Sequence, residues 1–101
     1  VMRVWVYMLR CADGRYYVGS HRGEDVQVRV WEHNAGLHPT AWTFSRRPVE
    51  LVWCEAFLRA DEAVAFERQV KGWSRDKKEA LIRGEWSSLP APAARGRLTG
   101  Q

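Results

Sequence analysis

Cysteine is scarce in this chain, with two among 101 residues. That excludes a disulfide-dense secreted scaffold and a four-cysteine zinc site. Long apolar runs are missing as well: none approaches the ~20 residues that span a bilayer. The N-terminal run from Val4 to Leu9 stops at Arg10, too short and wrongly flanked for a secretory signal, so a reducing cytoplasm is the expected location and no membrane contact is expected. No internal repeat is visible. Acid is not in excess either: 16 Lys/Arg stand against 12 Asp/Glu, a net charge of +4, which biases the surface towards polyanions such as nucleic acid. The cations are not gathered in one half. Residues 1–50 carry seven against five acidic residues and residues 51–101 nine against seven, so folding has to assemble any basic face. What is present is 46% hydrophobic and 12% aromatic residues, which excludes a disordered chain and suits one small domain.

Residues 3–11 read as a strand, rich in β-branched and aromatic side chains. Ala12, Asp13 and Gly14 are turn residues, and residues 15–20 read as the returning strand. Two loop lengths are open. A two-residue loop pairs Ala12 with Arg15, and a three-residue loop with Gly14 left-handed pairs Cys11 with Arg15. Only the second puts Tyr7 and Tyr17 on one face. Residues 24–35 fit two patterns. Val26, Val28 and Val30 alternate like a strand, whereas Val26, Val30, His33 and Leu37 share a helical face between Glu24-Asp25 and a stop at Gly36. Residues 37–48 read as a loop and 49–57 as a third strand. A helix over 61–71 has Asp61 as its expected N-cap, Ala63, Phe66 and Val70 as its stripe, and Gly72 as its stop. A second helix over 74–83 lies between the cap Ser74 and Gly84. The domain is expected over 1–86, with a loosely held tail over 87–101.

One constellation carries chemistry. Val6-Tyr7-Met8 precedes Tyr17-Val18-Gly19, Arg29 and His33 follow, and Glu67 stands before Lys71-Gly72-Trp73-Ser74-Arg75. In order and spacing, residues 3–85 resemble the GIY-YIG nuclease superfamily, most nearly its small stand-alone bacterial members that resemble the excinuclease N-terminal nuclease domain. The resemblance implies an α/β (α+β) fold, a small three-stranded antiparallel sheet flanked by about three helices. It also implies a helix over 25–35 and the three-residue hairpin register. By position, Tyr7 and Tyr17 match the family tyrosines, Arg29 the arginine, His33 a histidine one turn later, and Glu67 the metal-binding glutamate. Three departures are visible: Met8 stands where the first half-motif has glycine, extra residues lie between Gly19 and Arg29, and Trp42 replaces a common tyrosine.

The residue types suit phosphodiester hydrolysis, which needs an activated water and neutralised phosphoryl charge. Arg29 offers a planar fork for phosphate oxygens, and His33 shares its helical face. Glu67, with waters and substrate phosphate, is an ordinary way to hold a single Mg2+ or Mn2+. The general base is open among Tyr7, Tyr17 and His33. Trp42, Arg46 and Arg47 interleave aromatics with cations in one loop, and Lys71, Arg75, Lys77 and Lys78 extend a candidate phosphate track. The expected function is a metal-dependent DNA endonuclease, structure-selective and linked to repair or recombination, with RNA as an open second substrate and a protein partner supplying targeting. The alternative is a non-catalytic nucleic-acid-binding or interaction module that keeps the fold.

Each residue also has a plainer structural reading. Tyr7 and Tyr17 suit a cross-strand aromatic pair, and Glu67 with Lys71 an i,i+4 surface pair. His21, His33 and His38 match no common zinc spacing. Cys11 and Cys54, in strands, read as inert core residues, and Trp5, Trp53 and Trp73 as core tryptophans.

Overall fold

In the computed structural model, which describes residues 2–85, the chain begins with a hairpin closed by three loop residues. Strand β1 spans Arg3–Arg10 and β2 spans Tyr16–Gly23. Cys11 donates its backbone N–H to Arg15 at 2.8 Å, and Gly14 has φ +85°. The left-handed turn residue has to be glycine-like, and the register follows from it. Leu9 pairs with Tyr17 and Tyr7 with Gly19, so Tyr7 and Tyr17 share a face, as the parity of the three-residue loop requires. Strand β2 runs three residues beyond the expected end at Ser20, which carries His21 onto that same face.

Strand β3, Glu50–Phe57, pairs antiparallel with β1, giving the order β2-β1-β3. Central β1 is covered on both sides, which explains its unbroken apolar sequence. On one face Tyr7, Leu9 and Cys11 pack with Val26, Val30 and Val49. On the other Val6 and Met8 meet Val18, Phe57, Ala63, Phe66, Val70, Trp73, Ala80 and Leu81. Full burial of each large apolar side chain contributes about 1.5–3 kcal/mol.

Helix α1, Val26–Ala35, covers the first face. The Asp25 carboxylate accepts from the Gln27 N–H, and Gly36 closes the helix at φ +72°. Buried Val26, Val30 and His33 form its inner stripe, which settles the ambiguous pattern as helix. Leu37 falls outside that stripe and is exposed, because the chain leaves the helix at Gly36. Helices α2, Ala60–Lys71, and α3, Arg75–Arg83, cover the second face. Ser74 caps α3 through Lys77 N–H, as expected. The N-cap of α2 is Arg59 rather than Asp61. Asp61 sits in the first turn, where it accepts from Arg59 and from the Glu62 N–H; an acid suits either position, so the helix begins earlier than its charge pattern suggests.

The segment between α1 and β3 contains one 3-10 turn, Phe44–Arg46. Asn34 ties the end of α1 to the start of β3, donating to the Val49 carbonyl at 3.0 Å and accepting from its N–H at 2.7 Å. Trp73 is buried as expected, while Trp5, Trp53 and Cys54 are half-buried. The tail expected over 87–101 lies outside the described residues. Among the described residues, no helix is long and apolar enough to cross a membrane.

Candidate active site

Strand parity and the inner stripe of α1 bring three rings together. The Tyr7 and Tyr17 centroids are 6.2 Å apart, and His33 lies 6.1 Å from Tyr7 and 5.5 Å from Tyr17. The Tyr7 hydroxyl is 3.1 Å from His33 Nε2, and His33 Nδ1 is 2.7 Å from Thr43 Oγ1. The result is a buried chain of two hydroxyls bridged by one imidazole. Gly19 makes room for it: a Cβ there would lie 2.7 Å from the Tyr7 hydroxyl and 2.8 Å from the Tyr17 ring.

The electrostatics converge on Tyr7. Burial pushes its phenol far above the ordinary range, Tyr17, Glu67 and Glu32 push the same way, and Arg29 opposes them. The charges of Glu67, from α2, and Arg29, from α1, thus bear on one phenol in opposite senses. His33 is held below the ordinary histidine range by burial first, then by Arg29 and His38, against Glu32, so it is neutral at physiological pH. Arg29 Nε donates to His21 Nδ1 at 3.3 Å and lies 3.6 Å from Glu32 Oε1. The β2 extension thus supplies His21 as a rest for the guanidinium.

The aromatic loop residue lies on the rings. Trp42 stacks on Tyr17 at 6.1 Å and 20°, and the Arg46 guanidinium sits 3.9 Å from the indole centroid. Arg46 also donates to the Trp42 carbonyl at 2.8 Å and lies 3.2 Å from Asp13 Oδ2, clamping the loop to the hairpin turn. Arg47 packs on Phe44 and donates to its carbonyl at 2.8 Å. A cleft of about 300 Å3 runs along the outer edge of β2, lined by Tyr16, Tyr17, Val18, Trp42, Lys71 and Lys78. Burial lowers the Lys78 ammonium. Arg75 donates to the Gly14 carbonyl at 2.9 Å and pairs with Glu79 at 3.1 Å, while Lys77 is exposed on α3.

Although they share a face, the two phenols do not line one open groove. Tyr7 is 1% exposed and His33 is buried, because α1 and the Trp42 loop close over them. Tyr17 is half-buried and Trp42 is exposed.

Among the described residues no group of three or more His, Cys, Asp or Glu side chains is placed to hold a metal. The donor set is the Glu67 carboxylate, 15% exposed and 2.8 Å from the half-exposed Lys71 ammonium. One carboxylate facing a movable cation fits a hard divalent ion that keeps most of its waters.

Sequence reasoning passed over Thr43, Asn34 and Glu32. Thr43 had no motif to mark it, although a small hydroxyl between Trp42 and Phe44 is a weak sign of burial.

This fold, with two half-motif tyrosines, an arginine helix and a later glutamate, is that of a nuclease catalytic domain. The family model of the GIY-YIG catalytic domain matches residues 3–80, and the chain belongs to that family. A UPF0213 protein of Bacillus pumilus is 41% identical over 78 residues, covering 77% of this chain and 76% of that one. A UPF0213 protein of Halobacterium salinarum is 46% identical over 77 residues, covering 76% and 96%. The solution NMR structure of a UPF0213 protein from Bacillus halodurans is similar with a TM-score of 0.53 and 38% identity, covering 83% of this chain and 86% of that chain.

Proposed function

We propose that the protein is a divalent-metal-dependent endonuclease that hydrolyses phosphodiester bonds of DNA, with structure-selective cleavage in repair or recombination as its setting. The observation that carries the reading is the Tyr7 hydroxyl 3.1 Å from His33 Nε2, with the Tyr17 ring beside both and the charges of Arg29 and Glu67 bearing on the same phenol. A cross-strand aromatic pair alone requires neither the imidazole nor the two charges. Membership of a nuclease family supports the same reading.

Glu67 would hold the ion, and a bound divalent ion would neutralise charge developing on the phosphate. Arg29 receives the phosphate through its fork, exchanging Glu32 and His21 for phosphoryl oxygens. Water attacks phosphorus and the bond to the leaving sugar oxygen breaks. The water's proton passes to the Tyr7 oxygen as the phenol's own proton passes to His33 Nε2, and the leaving oxygen takes a proton from solvent. Handing the proton on avoids a free phenolate, which burial disfavours. Of the three candidates for the base, Tyr7 is the phenol backed by a neutral imidazole. Arg46, Arg47, Lys71, Arg75 and Lys77, with Trp42, serve as backbone contacts. The Arg75–Glu79 pair is largely exposed and worth about 0–1 kcal/mol, so phosphate displaces it readily. Recognition is of backbone and shape, since a domain this small has little area for reading sequence.

The test is a panel of duplex, nicked, flapped, branched and single-stranded DNA, with matching RNA, incubated with Mg2+, Mn2+ or EDTA. Metal-dependent internal cleavage of at least one substrate is expected. Binding without cleavage under every condition would leave the interaction module as the function.

A further inference from the structure

Thr43 is 1% exposed in the loop between α1 and β3. The next turn begins on it, since its carbonyl accepts from the Arg46 N–H at 3.0 Å. Its hydroxyl meets His33 Nδ1 at 2.7 Å, and the far nitrogen of that ring meets the Tyr7 hydroxyl at 3.1 Å. A neutral imidazole donates at one nitrogen and accepts at the other, so the two contacts are not independent. Either Tyr7 donates to Nε2 and Nδ1–H donates to Thr43, or Thr43 donates to Nδ1 and Nε2–H donates to Tyr7.

Acidity decides between them. A phenol, with an ordinary pKa of about 10, is a far stronger acid than an aliphatic alcohol. It is therefore the better donor to a nitrogen lone pair, and the threonine oxygen is the better acceptor. Tyr7 is itself buried, and a buried phenol proton needs an acceptor. We propose that Thr43 is a positioning residue that holds His33 in its Nδ1–H tautomer, keeping Nε2 as the proton acceptor for Tyr7. The group on the far nitrogen sets the tautomer, as a general rule for working imidazoles. The catalytic consequence rests on the nuclease reading, whereas the tautomer does not.

The experiment is long-range 1H–15N NMR of the full chain labelled at histidine, at a pH where His33 is neutral. His33 should show a protonated Nδ1 and a bare Nε2. In Thr43→Val, an Nδ1–H would face a methyl group and lose its acceptor, so the Nε2–H tautomer should gain population against the pull of the Tyr7 proton; Thr43→Ser should restore the original pattern. Turnover with DNA should fall about 10- to 100-fold in Thr43→Val with KM unchanged, and recover in Thr43→Ser. An Nε2–H tautomer in the unmodified protein overturns the proposal without any variant, as does an unchanged tautomer in a folded Thr43→Val. The predicted tautomers in a protein that cleaves nothing would uphold the positioning of His33 and reject the nuclease reading.

Discussion

The Gly19 α-carbon faces the Tyr7 hydroxyl so closely that a Cβ at Gly19 would lie 2.7 Å from it. The same Cβ would lie 2.8 Å from Tyr17 Cε2. Backbone dihedrals do not require glycine here, since positive φ occurs at Gly14, Gly36 and Gly84. The requirement comes from two rings packed over the strand. Gly19→Ala should therefore destabilise the domain by about 1–3 kcal/mol through overpacking. It should also push the Tyr7 hydroxyl off His33. Urea denaturation measures the first effect and the His33 imidazole resonances the second; a stable variant with unchanged resonances would show that the rings move aside freely.

Binding of DNA should be strongly salt-dependent. The cations beside the cleft are exposed or partly exposed and mostly paired within the protein, so their contribution is electrostatic and reversible. With about four phosphate contacts, affinity should fall about a hundredfold between about 50 and 200 mM salt. Fluorescence anisotropy with a labelled duplex gives the slope, and a flat response would contradict backbone reading.

Stability should fall on mild acidification. His33 and His21 are both lowered by burial and then by Arg29. The unfolded chain therefore binds more protons than the folded one as pH drops through the ordinary histidine range near 6.5. Folding stability is lost across that window, down to the lowered folded-state values. The urea midpoint should be lower at about pH 5.5 than at about pH 7.5, and the difference should shrink in His33→Gln. A midpoint that rises on acidification would mean that the imidazoles gain rather than lose by charging.

Much of the fold was legible because it follows from local rules. Gly14 and strand parity specify the hairpin, Asp25 and Ser74 cap their helices, and Ala63, Phe66 and Val70 mark the inner face of α2. What was not legible depends on tertiary closure. Leu37 fits a helical face that the chain has already left at Gly36. Asp61 suits both an N-cap and the first turn of a helix, and α2 starts one residue before it, at Ala60. The shift in pairing between Met8 and Leu9 along β3 has no local signature. For the candidate site, Tyr7, Tyr17, Arg29, His33 and Glu67 were readable as a motif with spacing, and the structure brings the rings of Tyr7, Tyr17 and His33 together. The burial of Tyr7 and His33, and the role of Thr43 behind them, were not, because both depend on how the 37–48 segment folds back over α1.

The most direct test of the account is cleavage of the preferred DNA substrate by Glu67→Ala beside the unmodified protein, in Mn2+ and at matched occupancy of DNA. Glu67 is outside the buried stripe Ala63, Phe66 and Val70 of α2 and pairs with the half-exposed Lys71 one turn on, so its removal should leave the fold and most DNA binding intact. The account predicts metal-dependent cleavage by the unmodified protein and none by the variant. Full activity in Glu67→Ala would contradict it.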